Sequence, residues 1–201
     1  MAKLYFRYGA MNSGKSTALL QAAYNYEERG QQVLLAKPAI DTKGADQIES
    51  RLGVARPVDF LIAPGVDARV ALRDAAADSS IACLLVDEAQ FLEPSQVDDL
   101  LRIAVLDDVP VLAYGIRTDF RTEAFPGSAR LLEVAHSLEE LKTICRCGRK
   151  AIFNARLIDG QFVFDGDQVA IDEAPISGEV TYESMCAVCY LRESGGRLDG
   201  R

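Results

Sequence analysis

Short apolar runs recur along the chain at residues 4–8, 33–36, 58–62, 81–86 and 109–114, each of strand length. Between most of them apolar positions return at helical spacing, over 17–29, 67–77 and 95–106. The first of these predicted helices is stopped by Gly30, and Pro94 stands where the last can tolerate a proline in its first turn. Strands alternating with helices predict an α/β domain on a parallel sheet. Residues 37–57 turn polar, with Asp41, Lys43, Gly44, Asp46, Glu49 and Arg51, and predict a mobile loop. From Cys145 onward the pattern changes to shorter strand-like pieces, 151–157 and 161–164, with Asp159-Gly160 in a hairpin position. The chain is therefore divided into a main domain over 1–142, a second module over 143–193 and a disordered tail over 194–201, where paired glycines and mixed charges gather. There is no internal repeat.

Between the first strand and the first helix lies Gly9-Ala10-Met11-Asn12-Ser13-Gly14-Lys15-Ser16-Thr17, which fits G-x-x-x-x-G-K-[ST] at every required position. The glycines let the backbone curl until successive N–H groups face an anion, and the N-terminus of the following helix adds its positive end. This predicts a P-loop site for a nucleoside triphosphate, with Lys15 reaching the β and γ phosphates and Ser16 ligating Mg²⁺. The four fixed positions coincide by chance in roughly one random chain in a hundred of this length. The strand-loop-helix context lowers that further.

The run 81–86 is apolar throughout and ends abruptly in Asp87-Glu88. Burying such a strand holds two carboxylates at its C-terminal edge, the edge that carries the phosphate loop in sheets of this kind. Asp87 suits Mg²⁺ or one of its waters, and Glu88 is left to take a proton from the attacking group of a second substrate. The polar segment 37–57 crosses the same side. Cys83, inside the strand, reads as a small core residue.

Cys145-Arg146-Cys147 and Cys186-Ala187-Val188-Cys189 form two close pairs flanking the hairpin, the pattern of a tetrahedral Zn²⁺ site. Four protein ligands leave no open position, so the expected zinc is structural. The formal charge of -8 argues against a broad nucleic-acid binder, and no apolar run has the length of a membrane span. With no signal-peptide pattern, the expected location is cytoplasmic. The single histidine, His136, reads as a partly exposed helix residue.

These residues resemble one family closely, the zinc-containing P-loop thymidine kinases. The resemblance runs through nearly the whole chain. Its elements are Gly9 to Thr17, Lys37-Pro38-Ala39-Ile40-Asp41-Thr42, Asp87-Glu88-Ala89-Gln90-Phe91, Tyr114-Gly115-Ile116-Arg117-Thr118-Asp119-Phe120 with Phe125-Pro126-Gly127, Leu141-Lys142-Thr143-Ile144-Cys145, and Tyr182 before Cys186. It implies a RecA-like P-loop domain with a small C-terminal zinc module, and transfer of the γ-phosphate of ATP to the 5′-hydroxyl of thymidine, also of deoxyuridine, in nucleoside salvage. It further implies Glu88, Lys15 and Arg117 as catalytic residues, and nucleotide contacts from the phosphate loop and from Asp87, Glu88, Ala89 and Gln90. Met11, Phe91, Ile116, Phe120, Phe125 and Tyr182 would wall the thymine pocket, since a pyrimidine suits a flat apolar slot. A homotetramer and feedback inhibition by dTTP are implied as well.

In the family a lasso between the cysteine pairs grips the base through its backbone. Here that segment, about 169–182, is longer and lacks the usual Ile-Gly-Gly, which bears on base selectivity. Lys43 stands where arginine is common, a point charge in place of a bidentate fork. The rival reading is a nucleic-acid-stimulated ATPase, because Asp-Glu-Ala-Gln after a strand also resembles the acidic box of helicase motors. Those motors use two stacked domains and a basic channel, which neither the length nor the charge of this chain fits.

Overall fold

The computed structural model describes residues 1–39, 46–77, 79–168 and 178–198. In chain order the strands are β1 (Leu4–Tyr8), β2 (Val33–Pro38), β3 (Gln47–Glu49), β4 (Ala55–Pro57), β5 (Phe60–Ile62), β6 (Cys83–Val86), β7 (Val111–Gly115), β8 (Ser137–Glu140), β9 (Thr143–Ile144), β10 (Lys150–Ala151), β11 (Phe153–Ile158), β12 (Gln161–Val163) and β13 (Val180–Met185). The α-helices are α1 (Lys15–Glu27), α2 (Ala68–Ala76), α3 (Pro94–Leu106), α4 (Pro126–Val134) and α5 (Ala187–Glu193).

Six strands form the parallel sheet that the alternating pattern predicts, in the order β5-β2-β6-β7-β1-β8. The apolar run of β6 is buried on both faces: Leu84 and Val86 join one core cluster with Leu100, Ile103 and Leu131 of α3 and α4, while Cys83 and Leu85 join Leu19 and Ala23 of α1 on the other. A strand covered on both sides has no use for alternation, so it reads as continuous hydrophobicity. Burial also pushes the Cys83 thiol up to about 12, which suits an inert core residue. Helix starts carry local signals, as where Asp67 accepts from the backbone N–H groups of Arg69 and Val70 at the head of α2.

The order places β7 between β6 and β1, so the loops after β1 and β6 open on either side of the end of β7. That C-terminal edge is where open α/β sheets bind ligands.

Three expectations are corrected. The polar segment 37–57 is not simply a loop: β2 runs on through Pro38, and β3 and β4 pair as an antiparallel hairpin around a turn at Ser50–Gly53. Ile48 of that hairpin is fully buried against α1, and this one apolar position anchors an otherwise polar stretch. His136 is not helical. It lies between α4 and β8, where its Nδ1 accepts from Leu4 N (3.1 Å) and its own N–H donates to Leu4 O. The edge strand β8 and helix α4 were absent from the sequence reading, the former because Ser-Leu-Glu-Glu is half solvated, the latter because Pro126-Gly127 reads as a turn. Lys43 and the 169–177 part of the lasso lie outside the described residues.

The chain after Leu141 forms a separate small core. Cys145, Ala151, Ala155, Met185 and Tyr190 pack with Phe153, Phe162 and Phe164. Asp159 and Gly160 both have positive φ and close the β11–β12 hairpin, as a two-residue turn of that type requires. At the C-terminus Ser194 is buried and its hydroxyl donates to Arg197 O (2.7 Å).

Gly127 shows how tightly α4 is seated. A Cβ there would stand 2.6 Å from the carbonyl oxygens of Ala89 and Leu92 and 2.9 Å from that of Gln90. Gly127→Ala should cost about 1–3 kcal/mol in denaturant unfolding; unchanged stability would show that the contact yields.

Candidate active site

The phosphate loop is shaped by two left-handed residues, Asn12 (φ 65°) and Gly14 (φ 77°), before α1 begins at Lys15. Gly9 cannot be replaced cheaply, because a Cβ would lie 2.5 Å from Leu141 O and closer still to Ser13 Oγ. The first turn of α1 contains no acidic side chain of its own. Lys15 is buried, and its Nζ donates to Ala10 O at 3.1 Å. Burial lowers its pKa, opposed by the charges of Glu88 and Asp87. An ammonium held this way gains most from a polyphosphate placed against it.

Ser16 Oγ donates to Asp87 Oδ2 (3.2 Å), bringing together the two groups assigned to Mg²⁺. Asp87 is buried, and its pKa is raised to about 7, first by desolvation and then by the neighbouring Glu88. The nearby ammonium of Lys37, whose Nζ also donates to Gln47 O, works in the opposite direction. Two oxygens converging in a buried site are hard donors suited to Mg²⁺, which keeps several of its waters.

Glu88 sits in the left-handed region (φ 49°), a conformation unfavourable for a side chain with a Cβ. Its carboxylate accepts from Gln90 Nε2 (2.5 Å), and Gln90 Oε1 accepts from Ile116 N (3.2 Å). Gln90 is therefore a buried strut between Glu88 and the end of β7. Ala89, next to it, is fully buried. One large open cavity brings together Lys15, Ser16 and Glu88 with Met11, Ile116 and Tyr182. Arg51, at the hairpin tip, lines it as well, and its charge acts against protonation of Lys15. The sequence reading gave Arg51 no role, because nothing in its spacing marks it.

Other expected residues lie elsewhere. Phe91 and Phe125 meet edge to face with centroids 5.5 Å apart, and Phe120 is buried under the Arg156 guanidinium, 3.7 Å from its ring centroid. Met11, Ile116 and Tyr182 are the expected base-side residues that border the cavity directly. Arg117 lines a small recess with Gly9, Ala10, Glu140 and Asn154, so it too borders the start of the phosphate loop.

The Sγ atoms of Cys145, Cys147, Cys186 and Cys189 all lie within 4.8 Å of one another. Cys147 and Cys186 are 3.5 Å apart, too far for a disulfide and close to the roughly 3.8 Å separation of thiolates around tetrahedral zinc. The thiols titrate as one cluster, in which backbone N–H groups lower Cys186, led by that of Cys189, and Cys145 is lowered as well while Cys189 is raised, so the group readily holds thiolate. The donor set fits Zn²⁺.

The raised pKa of Asp87 is also a statement about stability. Its folded value of about 7 exceeds the ordinary 3.8, so the penalty for ionising it is absent below about pH 4, grows between 4 and 7, and is complete above 7. Asp87→Asn should therefore raise the unfolding free energy of the ligand-free protein at pH 8, by an amount on the order of a few kcal/mol, and leave it nearly unchanged near pH 4, as read by denaturant unfolding at the two pH values. A gain of equal size at both pH values would contradict the assignment.

The family model described as "Thymidine kinase" matches residues 2–190. Among curated relatives, a thymidine kinase of Ruegeria pomeroyi is 48% identical, covering 98% of this chain and 96% of its own. One of Idiomarina loihiensis is 49% identical over 98% of this chain and all of its own, and that of Enterobacteria phage T4 is 47% identical over 92% and 94%. Among solved structures, a Bacteroides Pif1 bound to single-stranded DNA is 20% identical, covers 69% of this chain and 38% of that one, and has a TM-score of 0.38, too remote a likeness to bear on function. A match over nearly the whole length, with the phosphate loop and the acidic strand end meeting in one cavity, places this chain in the thymidine kinase family.

Proposed function

We propose that this protein transfers the γ-phosphoryl group of Mg·ATP to the 5′-hydroxyl of thymidine, and of deoxyuridine. One observation carries the reading: the phosphate-side residues Lys15 and Ser16, the carboxylate of Glu88, and the base-side residues Met11, Ile116 and Tyr182 line a single cavity. The curated relatives are named thymidine kinases, which supports thymidine as the acceptor. The rival reading as a nucleic-acid-stimulated ATPase has no comparable support.

In this scheme Lys15 balances charge on the β and γ phosphates, and the N-terminus of α1 holds the phosphate chain. Ser16 and Asp87 would hold Mg²⁺, which when bound would offset the negative charge of the phosphates. Glu88 accepts the proton of the 5′-hydroxyl as the new P–O bond forms, and the β–γ bridging oxygen leaves with ADP. Gln90 fixes the direction of the Glu88 carboxylate. Tyr182 lies in β13, opposite Arg156 of β11, so the small module supplies one wall of the nucleoside site. A cavity reaching from phosphate loop to base wall also lets the end-product triphosphate lie across both subsites, the basis for inhibition by dTTP. Assembly as a homotetramer, in the cytoplasm, completes the proposal. Among the described residues no helix is long and apolar enough to cross a membrane.

Glu88→Gln should lower kcat for thymidine by about 10²–10⁴-fold while fluorescent-nucleotide titration shows ATP still bound; near-normal turnover would remove Glu88 as the base. Elemental analysis should find about one zinc per chain, and chelation should lower the melting temperature. Purified protein free of zinc and equally stable would refute the metal site.

A further inference from the structure

The module carrying the cysteines touches the phosphate loop at both polar atoms of one residue. Met11 N donates to Asn154 Oδ1 at 2.7 Å, and Met11 O accepts from Ser184 Oγ. Asn154 comes from β11 and Ser184 from the facing position of β13, where the two are register partners. Asn154 is only 2% exposed and both polar atoms of its amide are bonded, since Nδ2 donates to Thr118 O (3.1 Å) in the segment following β7. Thr143 adds a longer contact from its hydroxyl to Asn12 O (3.4 Å).

We propose that Asn154 and Ser184 are positioning residues for the phosphate loop, acting through the Met11 backbone. A phosphate loop works only if its later N–H groups face the anion, and here the reversal occurs at Asn12, in the left-handed region next to the clamped residue. Holding Met11 N and O from outside fixes the chain direction on entry to that reversal. Because the Met11 side chain lines the cavity, the same two hydrogen bonds set both the phosphate loop and one wall of the acceptor site. A buried asparagine in an apolar strand is an expensive choice unless its amide is needed, and every polar atom it offers is spent on the ATP-binding domain.

The inference rests on the nucleotide-site reading. Its test uses the full-length protein and titrates a non-hydrolysable Mg·ATP analogue and thymidine separately, with zinc content and melting temperature measured on each variant. Asn154→Leu and Ser184→Ala should each weaken the analogue by about tenfold at unchanged zinc content, because a buried backbone group loses its partner. The double variant should cost less than the product of the two, since both act on one residue. Ser184→Thr, which keeps the hydroxyl, should restore most of the affinity; this pair decides the matter if Asn154→Leu does not fold. Wild-type affinity in Ser184→Ala with only the melting temperature lowered would reduce both residues to module packing and overturn the proposal. Failure of the wild type itself to bind the analogue would instead overturn the nucleotide site, and this inference with it.

Discussion

The hydrogen bond from Ser16 Oγ to Asp87 Oδ2 is the contact on which the rest of the site is arranged. It ties the first turn of α1 to the end of β6 across the intervening edge of β7, and it does so with a carboxylate buried well enough to be lifted to about 7. A group held that far from its ordinary value is a cost to the folded chain, borne because a hard cation and a polyphosphate recover it on binding. Lys15 is under the opposite pressure from the same burial. Burial thus disfavours the charged form of both side chains at one place, and a metal-bound triphosphate would pair with both.

Around that contact the molecule divides its labour. The parallel sheet provides the phosphate side with rigid strand ends, and its two core faces are filled without any polar residue in β6. The module provides the other wall from β13, and its own small core is closed by the four cysteines. Two such parts make one site only if their relative position is held. The hydrogen bonds that Met11 N donates to Asn154 Oδ1, Asn154 Nδ2 to Thr118 O and Tyr190 Oη to Phe120 O are the means the chain uses.

Much of this was legible in the sequence, and for definite reasons. The run 4–8 is β1, and the 81–86 run followed by Asp87-Glu88 is a doubly buried strand ending in its two carboxylates. The paired cysteines converge because metal ligands must be spaced for a shared ion whatever the fold around them. What escaped was whatever depends on partners distant in sequence. Strand β8 is a polar edge strand that exists because β1 offers it hydrogen bonds, and the β3–β4 hairpin hangs on the burial of Ile48. Gln90 and Arg117 lie within motifs, but a motif fixes position along the chain and not direction. One proved to be a strut for Glu88, and the other faces a different recess. Asn154 gave one faint sign, an amide inside an apolar run, whose partner lies 143 residues away.

The central claim is that the phosphate loop and the acceptor wall serve one transfer reaction. Phosphorus NMR of the purified protein with Mg·ATP, with and without thymidine, follows the fate of the γ-phosphoryl group directly. The account predicts that loss of ATP requires thymidine and that ADP and thymidine 5′-monophosphate appear in equal amounts with no inorganic phosphate. Release of inorganic phosphate without thymidine, or in response to single-stranded DNA, would contradict it.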